Sequence, residues 1–142
     1  MDIRQITPTY FVAPQIDAAD MNDIAAAGIT TVICNRPDAE VPPSLQADAI
    51  EAAALAAGLA FVRLPLTHQT MNPENVELHA KTIEKSAGPV LAYCASGTRS
   101  TIVWALGKAG KMNTDDVLAA ARSGGYDLDN LRPTLDAIAK TV

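Results

Sequence analysis

Cys94 and Arg99, with four residues including a glycine between them, are the pair in this 142-residue chain best placed to do chemistry together. A cysteine sulfur is a strong nucleophile only as the thiolate, and a helix N-terminus and a nearby guanidinium both favour that charged form. The stretch after Cys94 offers both. The backbone N–H groups of Ala95, Ser96, Gly97 and Thr98 can turn inward, with Gly97 at positive φ, and make an anion nest at the positive end of the following helix. Arg99 then supplies a bidentate fork for an oxyanion, and Ser100 a hydroxyl able to donate to the cysteine sulfur. Cys94, Arg99 and Ser100 are therefore the expected catalytic residues, and residues 95–98 the expected substrate cradle. The competing reading is a buried strand-end cysteine followed by an ordinary turn and a surface arginine.

Other candidates are weaker. His68 falls in a polar loop that should face the cysteine, where it could act as a general acid or steer an anionic substrate, although a solvated loop histidine reads the same way. Glu74 is the nearest carboxylate that could serve as an acid, but a glutamate in a helix's first turn is explained by the helix dipole. His79 lies inside a helix, four residues from Asn75 and without a second ligand-type partner, so no metal and no cofactor is expected. Arg36 and Glu40 follow a strand end and can pair to shape the pocket rim. Cys34 reads as a small hydrophobe in an apolar strand. Parallel neighbouring strands would bring it to the same sheet edge as Cys94, which leaves a regulatory disulfide open. Trp104 reads as core.

The elements that must position these residues alternate. Tyr10-Phe11-Val12-Ala13 has strand composition, and Asp17 offers an N-cap to a helix over residues 18–27 that Gly28 ends. Residues 29–34 form a β-branched run stopped at Asn35-Arg36-Pro37-Asp38. An alanine-rich helix over residues 45–57 opens at Pro42-Pro43-Ser44 and closes at Gly58. Residues 59–64 read as a strand stopped by Pro65. Asn72, Pro73 and Glu74 start a helix that runs to about Ser86. Gly88-Pro89 leads into a strand over residues 90–94, which runs through the Cys94 loop into a helix over residues 101–109. Thr114, with Asp115 and Asp116, caps a helix to about Ser123, and Gly124-Gly125 precedes a last helix over residues 130–140. The expected fold is α/β, a central and mostly parallel sheet flanked by helices, with a helical C-terminal third. In such sheets ligands bind outside the carboxyl ends of strands, where Cys94 falls.

With 49% hydrophobic and 19% charged residues, the composition excludes disorder and suffices for a core, so one domain over residues 1–142 is expected. The net charge of −5, with no Lys/Arg run, argues against nucleic acid or a membrane surface as partner. Neither a membrane span nor a signal segment is read in the chain, so a cytoplasmic setting is expected and a structural disulfide is disfavoured.

Cys94-Ala95-Ser96-Gly97-Thr98-Arg99-Ser100, preceded by Gly88-Pro89-Val90-Leu91-Ala92-Tyr93, resembles the phosphatase-like domain of the beta-lactamase hydrolase-like family (DUF442). The same likeness extends to Ile6-Thr7 with Tyr10-Phe11-Val12, to Gly28-Ile29-Thr30-Thr31-Val32-Ile33, and to Asn35-Arg36-Pro37-Asp38-Ala39-Glu40. It implies a fold similar to the dual-specificity protein phosphatases, with Cys94 as nucleophile and Arg99 as oxyanion binder. The loop departs from the phosphatase pattern, which keeps five residues between cysteine and arginine, and resembles the six-residue Cys-x-x-Gly-x-Arg loop of rhodanese-type sulfurtransferases. Ala95 stands where rhodanese loops often carry a basic residue. Phosphatases of that fold also place an aspartate acid on the loop corresponding to residues 65–72, and none is present here. Departing sulfite needs no proton whereas an alkoxide does, so the expected reaction is sulfane-sulfur transfer from a small anionic donor to an acceptor thiol through a Cys94 persulfide. The alternatives are phosphomonoester hydrolysis through phosphocysteine and a non-catalytic anion- or phosphoprotein-binding module.

Overall fold

The computed structural model describes residues 1–141. Three short apolar segments form buried strands at the middle of the sheet: β2 (Tyr10–Ala13), β3 (Thr31–Cys34) and β5 (Val90–Tyr93). β4 (Ala60–Arg63) closes one edge and β1 (Arg4–Thr7) the other, in the order β1-β2-β5-β3-β4. All pairs are parallel except β1 with β2, so the sheet is mixed and mostly parallel. The register places Ala13, Tyr93, Cys34 and Arg63 side by side at the carboxyl edge. Cys94 follows directly.

Alternation along the strands divides the core into two layers. Val12, Ile33, Val90 and Ala92 pack with Trp104 and Ala105 of α4 (Thr98–Lys108), Val117 and Leu118 of α5 (Thr114–Ser123) and Leu135 of α6 (Arg132–Ala139). Val32, Cys34, Leu91 and Tyr93 face the other way, toward Met21 and Ile24 of α1 (Met21–Ala26) and Ile50 and Ala54 of α2 (Ala47–Ala56). Cys94 continues the Val90 and Ala92 side. The two cysteines therefore share an edge but point to opposite faces, both are free, and the disulfide is not formed.

Several boundaries differ from the sequence expectation. β1 was not anticipated: Arg4-Gln5-Ile6-Thr7 buries only Ile6, as an edge strand can. Asp17 caps as expected, through a capping box, but onto a single 3₁₀ turn that precedes α1. The alanine-rich helix also begins after a 3₁₀ turn, at Pro43–Leu45, and the last helix after one at Asp129–Leu131. The cap of α5 is Asn113, whose side chain accepts the Asp115 N–H; Thr114 instead donates to Asp136. α4 starts at Thr98, three residues early, because Gly97 takes φ +93 and serves as its N-cap. Arg99 and Ser100 thus belong to a helix's first turn. No helix among the described residues is long and apolar enough to cross a membrane.

α3 (Pro73–Lys85), capped by Asn72 as expected, carries His79 into the interior. Its imidazole packs edge-on against Tyr10, 6.0 Å between centroids, and Tyr10 stacks on Trp104 at 6.1 Å. Among the described residues neither ring nitrogen finds a hydrogen-bond partner. Burial alone pushes the His79 pKa down to about 4. The unfolded chain takes up this proton below about pH 6.5 and the folded protein does not, so stability present above 6.5 is lost as pH falls toward 4. His79→Leu is expected to flatten that limb, removing a pH-dependent loss of roughly 2–3 kcal/mol from the urea-unfolding free energy between pH 7 and 4.5. An unchanged slope would place the source of acid lability elsewhere.

Candidate active site

Cys94 is fully buried at the carboxyl end of β5, its N–H donating to Ala13 at 3.4 Å. A three-residue excursion, Ala95 to Gly97, carries the chain from strand to helix. Gly97 allows the tight return through its positive φ, and its carbonyl accepts from both the N–H and the hydroxyl of Thr101. The Gly97 N–H points inward and donates to Cys94 Sγ at 3.1 Å. One of the inward donors that the loop sequence implied is thus in place, on a sulfur at the positive end of a helix, whereas the Thr98 N–H turns to the Ser96 hydroxyl instead. Ser96 and Thr98 lie exposed, with the Ser96 hydroxyl donating to Thr98 Oγ1 at 2.9 Å and receiving the Thr98 N–H at 3.3 Å. Ala95, also exposed, accepts the Gln15 N–H through its carbonyl.

Arg99 does not extend into solvent. Its Nη1 and Nη2 donate to Oε2 and Oε1 of Glu40 at 2.8 and 2.7 Å, and Nη1 also donates to the Leu66 carbonyl at 2.9 Å. Three of the five guanidinium hydrogens are thus held. Among the described residues no hydrogen bond claims Nε–H or the second Nη2 hydrogen, which share one edge of the planar group and can fork an oxyanion. The Arg99 pKa is raised, first by the Glu40 hydrogen bond, with lesser contributions from the Cys94 sulfur. Glu40 is shifted reciprocally, held below the ordinary carboxylate range chiefly by Arg99 and then by Arg36. Arg36 Nε donates to Glu40 at 3.2 Å, so the anticipated Arg36 and Glu40 pair forms, with Arg99 added to it. Glu40 bridges two guanidiniums and aims one of them.

Ser100 departs from expectation. It is buried, and its hydroxyl donates to Asn35 Oδ1 at 2.8 Å rather than to the sulfur. Asn35 in turn donates through Nδ2 to the Leu64 carbonyl and through its N–H to the Tyr93 carbonyl. Ser100 therefore ties α4 to the ends of β3, β4 and β5, while its own carbonyl receives the Tyr10 hydroxyl at 2.7 Å. A buried amide with its hydrogen bonds satisfied competes better for the hydroxyl than a thiol does. His68 is exposed on the loop after β4 and hydrogen-bonds to neither Cys94 nor Arg99; that loop reaches the site through the Leu66 carbonyl. Glu74 is exposed on the first turn of α3.

The cysteines diverge chemically. Burial raises the Cys34 pKa, and its Sγ donates to the Arg36 carbonyl at 3.3 Å, so Cys34 stays a neutral thiol. One contributor was read only in part and another escaped the sequence reading. Glu40 was placed at the pocket rim with Arg36, but its bond to Arg99, 59 residues away, was not foreseen. Tyr126 follows Gly124-Gly125 after α5 and crosses back over the loop, its hydroxyl donating to the Ser96 carbonyl at 2.9 Å. That glycine pair, read only as a helix break, was the available signal for a turn back. Among the described residues no group of three or more His, Cys, Asp or Glu side chains could hold a metal ion.

Residues 2–111 match the family described as beta-lactamase hydrolase-like protein, phosphatase-like domain. A beta-lactamase hydrolase-like protein of Xylella fastidiosa is 32% identical over 130 residues, 90% of this chain and 30% of that protein. The chain thus spans about a third of the length of this relative. A Neisseria meningitidis protein provisionally named a phosphatase superposes with a TM-score of 0.86 at 34% identity, covering 97% of this chain and 99% of that one. TpbA of P. aeruginosa, solved in complex with phosphotyrosine, shares the fold at a TM-score of 0.69 and 15% identity, covering 99% of this chain and 89% of its own.

Proposed function

Because the chain belongs to the phosphatase-like domain family of the beta-lactamase hydrolase-like proteins, we propose that it is a cysteine-dependent enzyme that hydrolyses small phosphomonoesters through a covalent intermediate on Cys94. The observation that supports this reading best is the meeting of the Cys94 sulfur, the inward Gly97 N–H and the Glu40-braced Arg99 at the mouth of α4. In the first step Cys94 Sγ attacks phosphorus, the S–P bond forms and the bond to the leaving oxygen breaks. In the second, water attacks phosphorus, the S–P bond breaks, and thiolate and inorganic phosphate are released. The free edge of Arg99 and the inward Gly97 N–H balance charge on the phosphoryl oxygens in both steps. His68, on the loop that reaches Arg99, is the candidate donor of the leaving-group proton.

Sulfane-sulfur transfer, the reaction expected from loop length, is the second reading, and the relatives' names favour phosphoryl chemistry over it. The observation in its favour is specific: only four residues separate Cys94 from Arg99, and no aspartate occupies residues 65–72. In that cycle Cys94 attacks the outer sulfur of thiosulfate or a persulfide, sulfite or a thiolate departs, and an acceptor thiol removes the sulfur.

Side-by-side rates separate the two. Aryl phosphate turnover is expected to exceed thiocyanate formation from thiosulfate and cyanide by about tenfold or more, with alkyl phosphates slower than aryl because their leaving oxygen needs a proton. The opposite ratio would establish the sulfur reading. Rates for every donor equal to those of Cys94→Ser, together with measurable phosphate affinity, would identify a binding module.

A further inference from the structure

The peptide group between Ser96 and Gly97 contributes a contact at each end. Its N–H, from Gly97, donates inward to Cys94 Sγ at 3.1 Å; its C=O, from Ser96, accepts outward from the Tyr126 hydroxyl at 2.9 Å. The bond is trans, so the two groups point in opposite directions from one rigid plane. Whatever holds the carbonyl outward therefore holds the N–H on the sulfur. We propose that Tyr126 is a positioning residue for the nucleophile: by anchoring the Ser96 carbonyl it locks this peptide in the orientation that presents the Gly97 N–H to Cys94.

Three further observations fit this role. A Cβ on Gly97 would run into the Tyr126 hydroxyl, so the ring is seated directly against the loop at the residue whose N–H matters. The phenol is a donor throughout the neutral range, because burial raises its pKa above the ordinary value, against a smaller lowering by the Arg4 charge. Arg4 holds the ring from behind: its guanidinium lies 6.0 Å from the ring centroid and donates to the Gly124 carbonyl at 3.2 Å, two residues before Tyr126. A cation over the ring draws electron density from the phenol and makes it a better donor. Without the anchor, Gly97 is free to rotate its peptide, since glycine tolerates either sign of φ, and the sulfur loses a hydrogen bond that favours the thiolate.

The role rests on Cys94 being the nucleophile but not on which group it transfers, so the test uses no substrate. Tyr126→Phe keeps the ring and removes only the anchor. At neutral pH its Cys94 is expected to alkylate with iodoacetamide roughly three- to tenfold more slowly than in the unaltered protein, the loss of one ordinary hydrogen bond. Hydrogen exchange at the Gly97 amide should accelerate by a similar factor, while Cys34 alkylation and the thermal midpoint stay in place. Gly97 exchange unchanged within about twofold overturns the proposal, whatever happens to the alkylation rate. Should Tyr126→Phe not fold, Arg4→Met, which takes the cation off the ring, should move both readouts the same way by about twofold, and no movement overturns it equally. Absence of Cys94-dependent turnover in the unaltered protein would strike the proposed reaction and leave these results standing.

Discussion

Cys94→Ser is expected to lower turnover by about 10⁴-fold or more, a barrier increase of roughly 5 kcal/mol, with the fold intact. The size of the effect follows from the chemistry: among the described residues no basic group hydrogen-bonds the sulfur, only the Gly97 N–H, so a serine hydroxyl here has no base to take its proton, and backbone donors cannot bring an alkoxide into range at neutral pH. The replacement is nearly isosteric, so the thermal midpoint should move little. Steady-state assay with an aryl phosphate checks it. Residual activity within tenfold of the unaltered protein would remove Cys94 from the covalent step.

Arg99→Lys is the second large effect. Lysine carries the charge but not the planar fork, and here the fork has two duties: one pair of hydrogens is committed to Glu40 and another edge is left for the substrate. An ammonium at this position reaches one of these partners at a time. Turnover should fall roughly ten- to a thousandfold, or about 1.4–4 kcal/mol, comparable to the loss of one oxyanion donor. The fall should appear in kcat as well as in kcat/KM, because the planar fork matches the equatorial oxygens of the transferring phosphoryl group as they flatten in the transition state. An unchanged rate would mean that the fork does not touch the reacting group.

The strand-to-helix loop that carries Cys94 and Arg99 was legible because its signals are local: an apolar run, a cysteine, a glycine and a helix start fall within a dozen residues. The central strands were legible for the same reason, being apolar or β-branched at every residue. What was hidden depends on contacts between distant segments. Ser100 was assigned to the sulfur because the two are close in sequence, but Asn35 comes to it from the end of another strand and offers a stronger acceptor. Glu40 and Tyr126 reach the loop only after the sheet and α5 are assembled. The cysteines illustrate the limit well. Parallel strands bring Cys34 and Cys94 to one edge, as read, but a one-residue offset in the register turns them to opposite faces, and no composition rule reports that offset. β1 escaped because an edge strand with a single buried side chain has no hydrophobic pattern to read.

The central claim is that Cys94 itself carries the transferred group, and it is tested most directly by acid-quenched intact mass measured early in a reaction with an aryl phosphate. An aryl oxygen departs without a proton, so the first step is fast, and breakdown of the adduct by water limits the cycle. A single phosphoryl increment that maps to Cys94, forms within the first turnover and is absent from Cys94→Ser is the predicted result. Steady turnover with no adduct on Cys94 would contradict the account.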